Sequence, residues 1–260
     1  MKRIESSAEL YDGINKILAK SSAVCTNFFL SQDEVGAAVQ RGELSAHLTD
    51  SGILIYRHRE NYCRTYFYLS DPENPMPGQP DQPAVLEIPY KDRDESAKKA
   101  AAGFMGAGYI PLFSRIRMTR RSGDAEGNTD GIVAAEAGQM TKLKELFREN
   151  FHPYAGCIPS DDELAAEIDE GHILTDDSVS GLLHFTLSRT GSELRHLAVA
   201  EHMRKNGIGG RLVRAYLNGW GNKKSTVWVR EDNEPAIRLY EAYGYKADGM
   251  NSAVLIYDKH

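Results

Sequence analysis

Arg204, Gly207 and Gly209 stand at Arg-x-x-Gly-x-Gly spacing within Met203-Arg204-Lys205-Asn206-Gly207-Ile208-Gly209-Gly210. An apolar, strand-like run, Leu194 to Val199, precedes the loop, and a helix-like run from Ile208 to Leu217 follows it. Glycines at such a junction let the backbone approach a ligand closely, and the loop amides and the helix N-terminus then face an anion. Arg204, Lys205 and Arg211 add positive charge. The chemistry implied is phosphate binding. A P-loop would need Gly-Lys-Ser/Thr after its glycines, and a dinucleotide fingerprint would need Gly-x-Gly-x-x-Gly. This loop has neither.

A second constellation lies downstream. The strand-like Thr226-Val227-Trp228-Val229 leads to Asn233, which suits an N-cap, and to Pro235, which suits a first helical turn. Ala236, Leu239, Tyr240 and Tyr243 share one face of the helix that follows. Gly244 suits its C-cap, and an extended run, Ala253 to Tyr257, comes next.

The first loop, preceded by Leu197-Ala198-Val199, resembles the acyl-coenzyme A loop of the GNAT acyltransferase superfamily. The Asn233 to Tyr245 segment, read as Asn, Ala-x-x-Leu-Tyr and Gly-Tyr, resembles the second signature of that superfamily, in the same order. The resemblance covers the C-terminal half. It implies that residues 204–210 (Arg204, Lys205, Asn206, Gly207, Ile208, Gly209, Gly210) hold the pyrophosphate of acetyl-coenzyme A. It further implies that the backbone N–H of Leu197 polarises the thioester carbonyl, and that Val199, with Ala198 beside it, pairs with the pantetheine arm like an added strand. Asn233 resembles the residue that contacts the cofactor. Tyr240 resembles the tyrosine that protonates the departing thiolate; a free phenol titrates near pH 10.

Acyl transfer to an amine also needs a proton acceptor, because free amines are mostly protonated at neutral pH. Glu193 is the candidate, with a water path or a plain hairpin-end role as alternatives. Strict alternation along the strand would put Glu193, Arg195, Leu197 and Val199 on one face. Arg195 stands where many GNAT relatives carry an acid. It would lower the Glu193 carboxyl or bind an acidic substrate. By resemblance, the loop His152 to Ser160 borders the acceptor, which nominates His152, Tyr154 and Cys157 as substrate contacts. His184 and His196, on neighbouring strands, are read as packing residues.

These groups need a scaffold. The 260 residues carry 41% hydrophobic and 26% charged side chains with net charge −6, which suits an ordered globular chain and argues against nucleic acid as a partner. No apolar run is long enough for a membrane span, so no membrane partner is expected. Cys25, Cys63 and Cys157 show no disulfide or metal spacing, so the expectation is a reduced, cytoplasmic protein with no metal. Helices are expected at Gly138 to Phe151 and Asp161 to Ile168, and a hairpin at Gly181 to Arg189 with Glu193 to Val199. Ser122 to Asp130 reads as a linker between a first domain, 1–121, and a GNAT domain, 131–260.

The first half carries a faint echo of the second. With Tyr109 laid on Tyr245, Gly108 meets Gly244, Ala100 meets Ala236 and Phe104 meets Tyr240. Ser7 to Leu18 reads as a helix; Gly52 to Tyr56, Cys63 to Leu69 and Ala84 to Ile88 read as strands, and the proline-rich 71–83 as a loop. No glycine loop of the right kind precedes residue 130. The expectation is an α/β (α+β mixed-sheet) protein with a degenerate GNAT-like first domain that holds no cofactor. The function expected is acetyl-coenzyme A-dependent N-acetyl transfer to a small-molecule or peptide amine. The alternatives are a non-catalytic acyl-coenzyme A-binding or regulatory module, or transfer of a longer acyl group. Self-association is left open.

Overall fold

The computed structural model describes residues 1–258 except 22, 79, 124, 221 and 222. Two compact units divide the chain: Met1–Arg115 with Met250–His260, and Ile116–Gly249. The division does not fall in the expected linker 122–130, of which Asp124 lies outside the described residues. It falls inside two strands, 110–120 and 246–257. Pairing partners, rather than the polarity of a nearby loop, decide which unit a strand belongs to.

The first unit runs β1 (Lys2–Arg3), α1 (Ser7–Leu18), β2 (Cys25–Thr26), α2 (Gln32–Gln40), β3 (Leu44–Leu48), β4 (Gly52–His58), β5 (Cys63–Leu69), β6 (Ala84–Lys91), α3 (Glu95–Gly106) and the start of β7 (Ile110–Arg120). The Ser6 hydroxyl caps α1, and the helix buries Leu10, Ile14 and Ile17, at spacings of three and four, in a cluster with Ile53 and Ile55. Helix α2 and strand β3 had no counterpart in the sequence reading. The signal for α2 was present as a capping box, Ser31 with Glu34. Strands β3, β4 and β5 are antiparallel, and β5 runs parallel to β6. The last eight residues of β13 (Lys246–Tyr257) pair antiparallel with the other edge of β6.

The second unit runs β8 (Ile132–Ala134), α4 (Met140–Asn150), α5 (Asp161–Asp169), β9 (Ile173–Asp176), β10 (Gly181–Ser188), β11 (Gly191–Val199), α6 (Ile208–Trp220), β12 (Lys224–Arg230) and α7 (Glu234–Ala242). β8 to β11 pair antiparallel in order, and β11 pairs parallel with β12. One face packs on α6 and α7 through Leu183, Phe185, Leu194, Leu212 and Tyr240. The other packs on α4 and α5 through Leu182, Ala198, Phe147 and Leu164. Only β9 was missed here; four residues carry too short a pattern to read.

The two units repeat one topology. Each has a pair of helices, four antiparallel strands, a parallel neighbour and a helix closed by glycine. At the helix stops the Tyr109 amide donates to Phe104 O, and the Tyr245 amide to Tyr240 O, at 3.0 Å each; Gly108 and Gly244 have φ of +95° and +82°. The units differ at the crossover between the parallel strands. The second uses α6, whereas the first uses the proline-rich loop 70–83.

In the first unit the parallel register covers only Cys63–Thr65 with Ala84–Leu86. Beyond it the Asn27 carboxamide stands between the strands. Its Nδ2 donates to Thr65 O (3.1 Å) and Glu87 O (2.9 Å), and its Oδ1 accepts from the Phe67 amide (2.8 Å). Asn27→Leu should destabilise the protein by about 2–3 kcal/mol, because three buried backbone groups lose their partners. Chemical denaturation measures this; an unchanged midpoint would mean that water replaces the amide.

Candidate functional site

The site begins with an irregularity in β11. His184 opposes His196 and Phe185 opposes Leu194, which leaves Arg195 as the extra residue of a β-bulge. Before the bulge the even-numbered residues face α6: Ser192 Oγ lies 2.5 Å from Tyr216 Oη, and Leu194 sits in the α6 cluster. After it they face the other side, where Ala198 packs with α4 and α5, while Leu197 and Val199 turn toward α6. Glu193 therefore does not share a face with Leu197 and Val199, as strict alternation required. It points to the α4–α5 side, and the bulge is the reason.

The same strand parts from β12. Their parallel register covers Gly191–Leu194 with Lys224–Val227. Among the described residues Arg195–Val199 has no β12 partner, which opens an edge of backbone donors and acceptors next to β12. An extended ligand could pair there.

The loop after β11 ends in the glycines. Lys205 and Gly207 have φ of +66° and +77°, the left-handed region, and α6 then starts at Ile208. Among the described residues the amides of Ile208, Gly209 and Gly210 have no protein acceptor, so three donors face outward at a helix N-terminus. A Cβ at Gly207 would meet nothing within 4 Å, and one at Gly209 only ordinary contacts at 3.7 Å. Packing thus gives no reason for a missing side chain at 209, whereas a closely approaching pyrophosphate would. Gly210 differs: Tyr243 Oη donates to its carbonyl at 2.8 Å, and a Cβ there would lie 3.1 Å from that oxygen.

The side chains around the loop brace it. Arg204 Nε donates to Val199 O (3.2 Å) and its Nη2 to Asn150 Oδ1 (2.9 Å). Arg211 and Arg214 donate to the carbonyls of Asp130 and Asn128. The anion-binding capacity therefore rests on backbone amides more than on the charges that the sequence advertises. Lys205 and Asn206 are exposed beside them.

Asn233 Oδ1 caps α7 by accepting from the Ala236 amide at 3.3 Å. Tyr240 is buried on the α6 side, its ring 5.7 Å from that of Tyr245. Among the described residues no protein group bonds its hydroxyl. Burial pushes its phenol well above the ordinary value near 10. Glu193 and Arg195 form a loose, half-exposed pair at 3.6 Å.

The segment 151–160 ties to both parted strands. His196 Nε2, on β11, lies 2.7 Å from Gly156 O, and the Arg230 charge, on β12, acts on His152. His152 Nδ1 accepts from the amides of Tyr154 and Ala155, at 3.2 Å each, and Cys157 takes φ +55°. His152 is thus a turn former as well as a neighbour of the cleft. The sequence reading missed His196; its signal was a histidine on the buried face of the strand that also carries Leu197. One group of metal-ligand type, Glu167, Glu170 and His172, occurs among the described residues, with Glu167 Oε2 on His172 Nδ1 at 2.8 Å. That contact is a hydrogen bond between carboxylate and imidazole, and no metal is assigned to it.

Comparison with known proteins bears on the fold. A GCN5-related N-acetyltransferase from Sphaerobacter thermophilus is 15% identical, with a TM-score of 0.56, and the match covers 88% of this chain and 85% of that one. A GNAT-family acetyltransferase from Colwellia psychrerythraea is 13% identical with a TM-score of 0.56 over 99% of each chain. A GCN5-related N-acetyltransferase from Kribbella flavida is 13% identical with a TM-score of 0.53, covering 86% and 92%. The fold is that of the GNAT N-acetyltransferases. Residues 174–254, which hold β11, the glycine loop, α6, β12 and α7, match the family model described as FR47-like protein. No curated protein matches the chain.

The His152 turn gives a prediction. Its Nδ1 accepts two amides, so the turn needs the neutral ring. Burial first, and the Arg230 charge second, lower its pKa below the ordinary 6.5. A depressed value means that the stabilisation is complete above the unfolded pKa and is lost as pH falls through the folded one. The Tyr154 and Ala155 amides should lose protection as pH falls below about 6.5, the ordinary imidazole value. In His152→Asn, whose Oδ1 accepts at any pH, they should not. Hydrogen exchange corrected for intrinsic rates reads both; identical acid profiles would refute the assignment.

Proposed function

We propose that the chain is an acetyl-coenzyme A-dependent N-acetyltransferase that acts on a small-molecule or peptide amine. The observation that carries the reading is that Tyr240 packs in one cluster with Leu197 and Val199 of β11 and Ile208 of α6, the strand whose edge lacks a β12 partner and the helix whose first amides lack a protein acceptor among the described residues. Bound acetyl-coenzyme A would supply the acyl thioester. The amides of Ile208, Gly209 and Gly210 receive its pyrophosphate, with Lys205 and Asn206 at the rim. The Val199 backbone pairs with the pantetheine arm, and the Leu197 N–H steadies the oxyanion. Ala198 contributes backbone alone, because its side chain is buried against α4 and α5. Asn233 keeps its Nδ2 for the cofactor while Oδ1 caps the helix.

The bulge sorts the chemistry between two faces. Tyr240 and the glycine loop serve the α6 face, where the thiol leaves. Glu193 and Arg195 serve the acceptor, with segment 152–160 and its His152, Tyr154 and Cys157 as the acceptor wall. Glu193, directly or through water, takes the proton of the amine. Tyr240 keeps its own proton across the working range, because burial holds it neutral, and gives it to the departing thiolate. The first unit binds no coenzyme A in this reading: Asn27 fills the gap that the pantetheine arm would need. A second reading, a non-catalytic acyl-coenzyme A-binding module, draws on the Glu193–Arg195 pair, which engages the base. Release of free thiol from acetyl-coenzyme A across a panel of amines separates the two; binding with no turnover supports the module.

Two substitutions test the roles. Gly209→Asp places negative charge among the free amides and should weaken acetyl-coenzyme A binding by roughly 10²-fold, the effect of adverse charge and lost contacts worth about 3 kcal/mol. Gly209→Ala should leave stability within about 0.5 kcal/mol, because its Cβ meets only ordinary contacts. Unchanged calorimetric affinity in the aspartate variant would refute the loop assignment. Tyr240→Phe should leave that affinity intact and lower turnover by roughly 10²-fold. The pH profile should keep its shape up to about pH 10, since the buried phenol titrates above that range. Wild-type turnover, with chemistry limiting, would leave Tyr240 a packing residue.

A further inference from the structure

Two buried histidines join the acceptor wall to the interior of the second unit. His184 on β10 and His196 on β11 are register partners, with stacked rings 5.2 Å apart and Nδ1 atoms 3.0 Å apart. Both are at least nine-tenths buried, at 5% and 3% exposure. Phe147 and Phe151 pack edge-on against the His196 ring, at 5.0 and 4.8 Å, so the ring cannot turn freely. Its Nε2 points out of this aromatic cage to Gly156 O at 2.7 Å.

Hydrogen-bond counting fixes the roles along the chain. Gly156 O only accepts, so His196 Nε2 carries a hydrogen and donates. With a neutral His196 ring, its Nδ1 is a lone pair, and His184 Nδ1 must donate to it. His184 Nε2 is then left, among the described residues, with no hydrogen-bond partner in a buried position, and Glu167 Oε2 on α5 lies 3.6 Å from it. The same carboxylate holds His172 Nδ1 at 2.8 Å, and Glu170 Oε2 lies 3.1 Å from that nitrogen. The charged and titratable groups facing the pair are therefore Glu167, with His172 and Glu170 behind it. The Gly156 carbonyl, which only accepts, and the His184 Nδ1 donor together set one tautomer of His196, the one that donates to the loop.

We propose that His196 is a positioning residue for the acceptor wall: through its Nε2–H it holds the Gly156 carbonyl, and so the segment 152–160, against β11, with His184 fixing its tautomer. The tether passes from β11 one residue before Leu197, so the wall and the oxyanion donor are held by neighbouring residues of a single strand. Placing the acceptor at this wall rests on the acyl-transfer reading; the tether itself does not.

The test is amide hydrogen exchange over 152–160 in the full chain, compared with the rest of the second unit. His196→Phe keeps the ring cage and removes the donor, and it should speed exchange in this segment by roughly 10-fold or more while β9 and α6 stay protected. His196→Gln places an amide donor near the old Nε2 position and should restore most of the protection. His184→Asn keeps a donor near the old Nδ1 and should change little, whereas His184→Phe should loosen the segment. All four variants should bind acetyl-coenzyme A as the wild type does, because the glycine loop is untouched. For an amine that the thiol-release panel shows to be turned over, His196→Phe should raise the KM of the amine more than it lowers kcat. Wild-type exchange over 152–160 in a folded His196→Phe variant would overturn the proposal, and so would faster exchange spread evenly through the unit. Because exchange needs no substrate, the tether can stand or fall apart from the acyl-transfer reading, which fails instead if no amine is turned over.

Discussion

The separation of two parallel strands, β11 and β12, governs the second unit. Their closed end is set by small residues. Ser192 and Ser225 are register partners, and Tyr216 Oη bridges them at 2.5 and 2.8 Å; Tyr245 Oη adds a third bond to Ser225 at 2.6 Å. A run of buried hydroxyls, each with partners, fixes that end at little cost, whereas one left unpaired there would cost about 1–3 kcal/mol. From this pinned end the strands diverge, and among the described residues the backbone of Arg195–Val199 has no partner on β12.

The bulge at Arg195 adds a second consequence. One extra residue turns the strand over, so Glu193 and Leu197 look to opposite faces although both are odd-numbered. Without the bulge, Glu193 would share a face with Leu197 and Val199.

The first unit shows the same scaffold with its opening closed. Its parallel strands part after Thr65, yet Asn27 supplies from within the chain the hydrogen bonds that an extended ligand would otherwise make. Phe104 stands where the second unit has Tyr240, and its ring packs on Tyr109 at 5.2 Å without a hydroxyl. The unit keeps the packing of the topology and lacks both the glycine loop and the phenol hydroxyl.

Much of this was legible in the sequence because it is local. Caps, glycine stops, periodic apolar faces and the Arg-x-x-Gly-x-Gly loop depend on residues a few positions apart, so α1, α5, α6, α7 and the β10–β11 hairpin were readable, as was the resemblance to the GNAT superfamily. Short or weakly periodic elements, α2, β3 and β9, were not, since their stability comes from partners distant in sequence. The bulge was hidden for the same reason: the apolar phase changes between Leu194 and Leu197, but only the register with β10 shows which residue is extra. The changeovers at 115 and 249, the Asn27 bridge and the His184–His196 pair likewise depend on contacts between residues far apart in the chain. The sequence by itself determined which residues could bind an anion and donate a proton; the tertiary structure alone decided which face each one serves, because face and register are properties of paired strands rather than of a single strand.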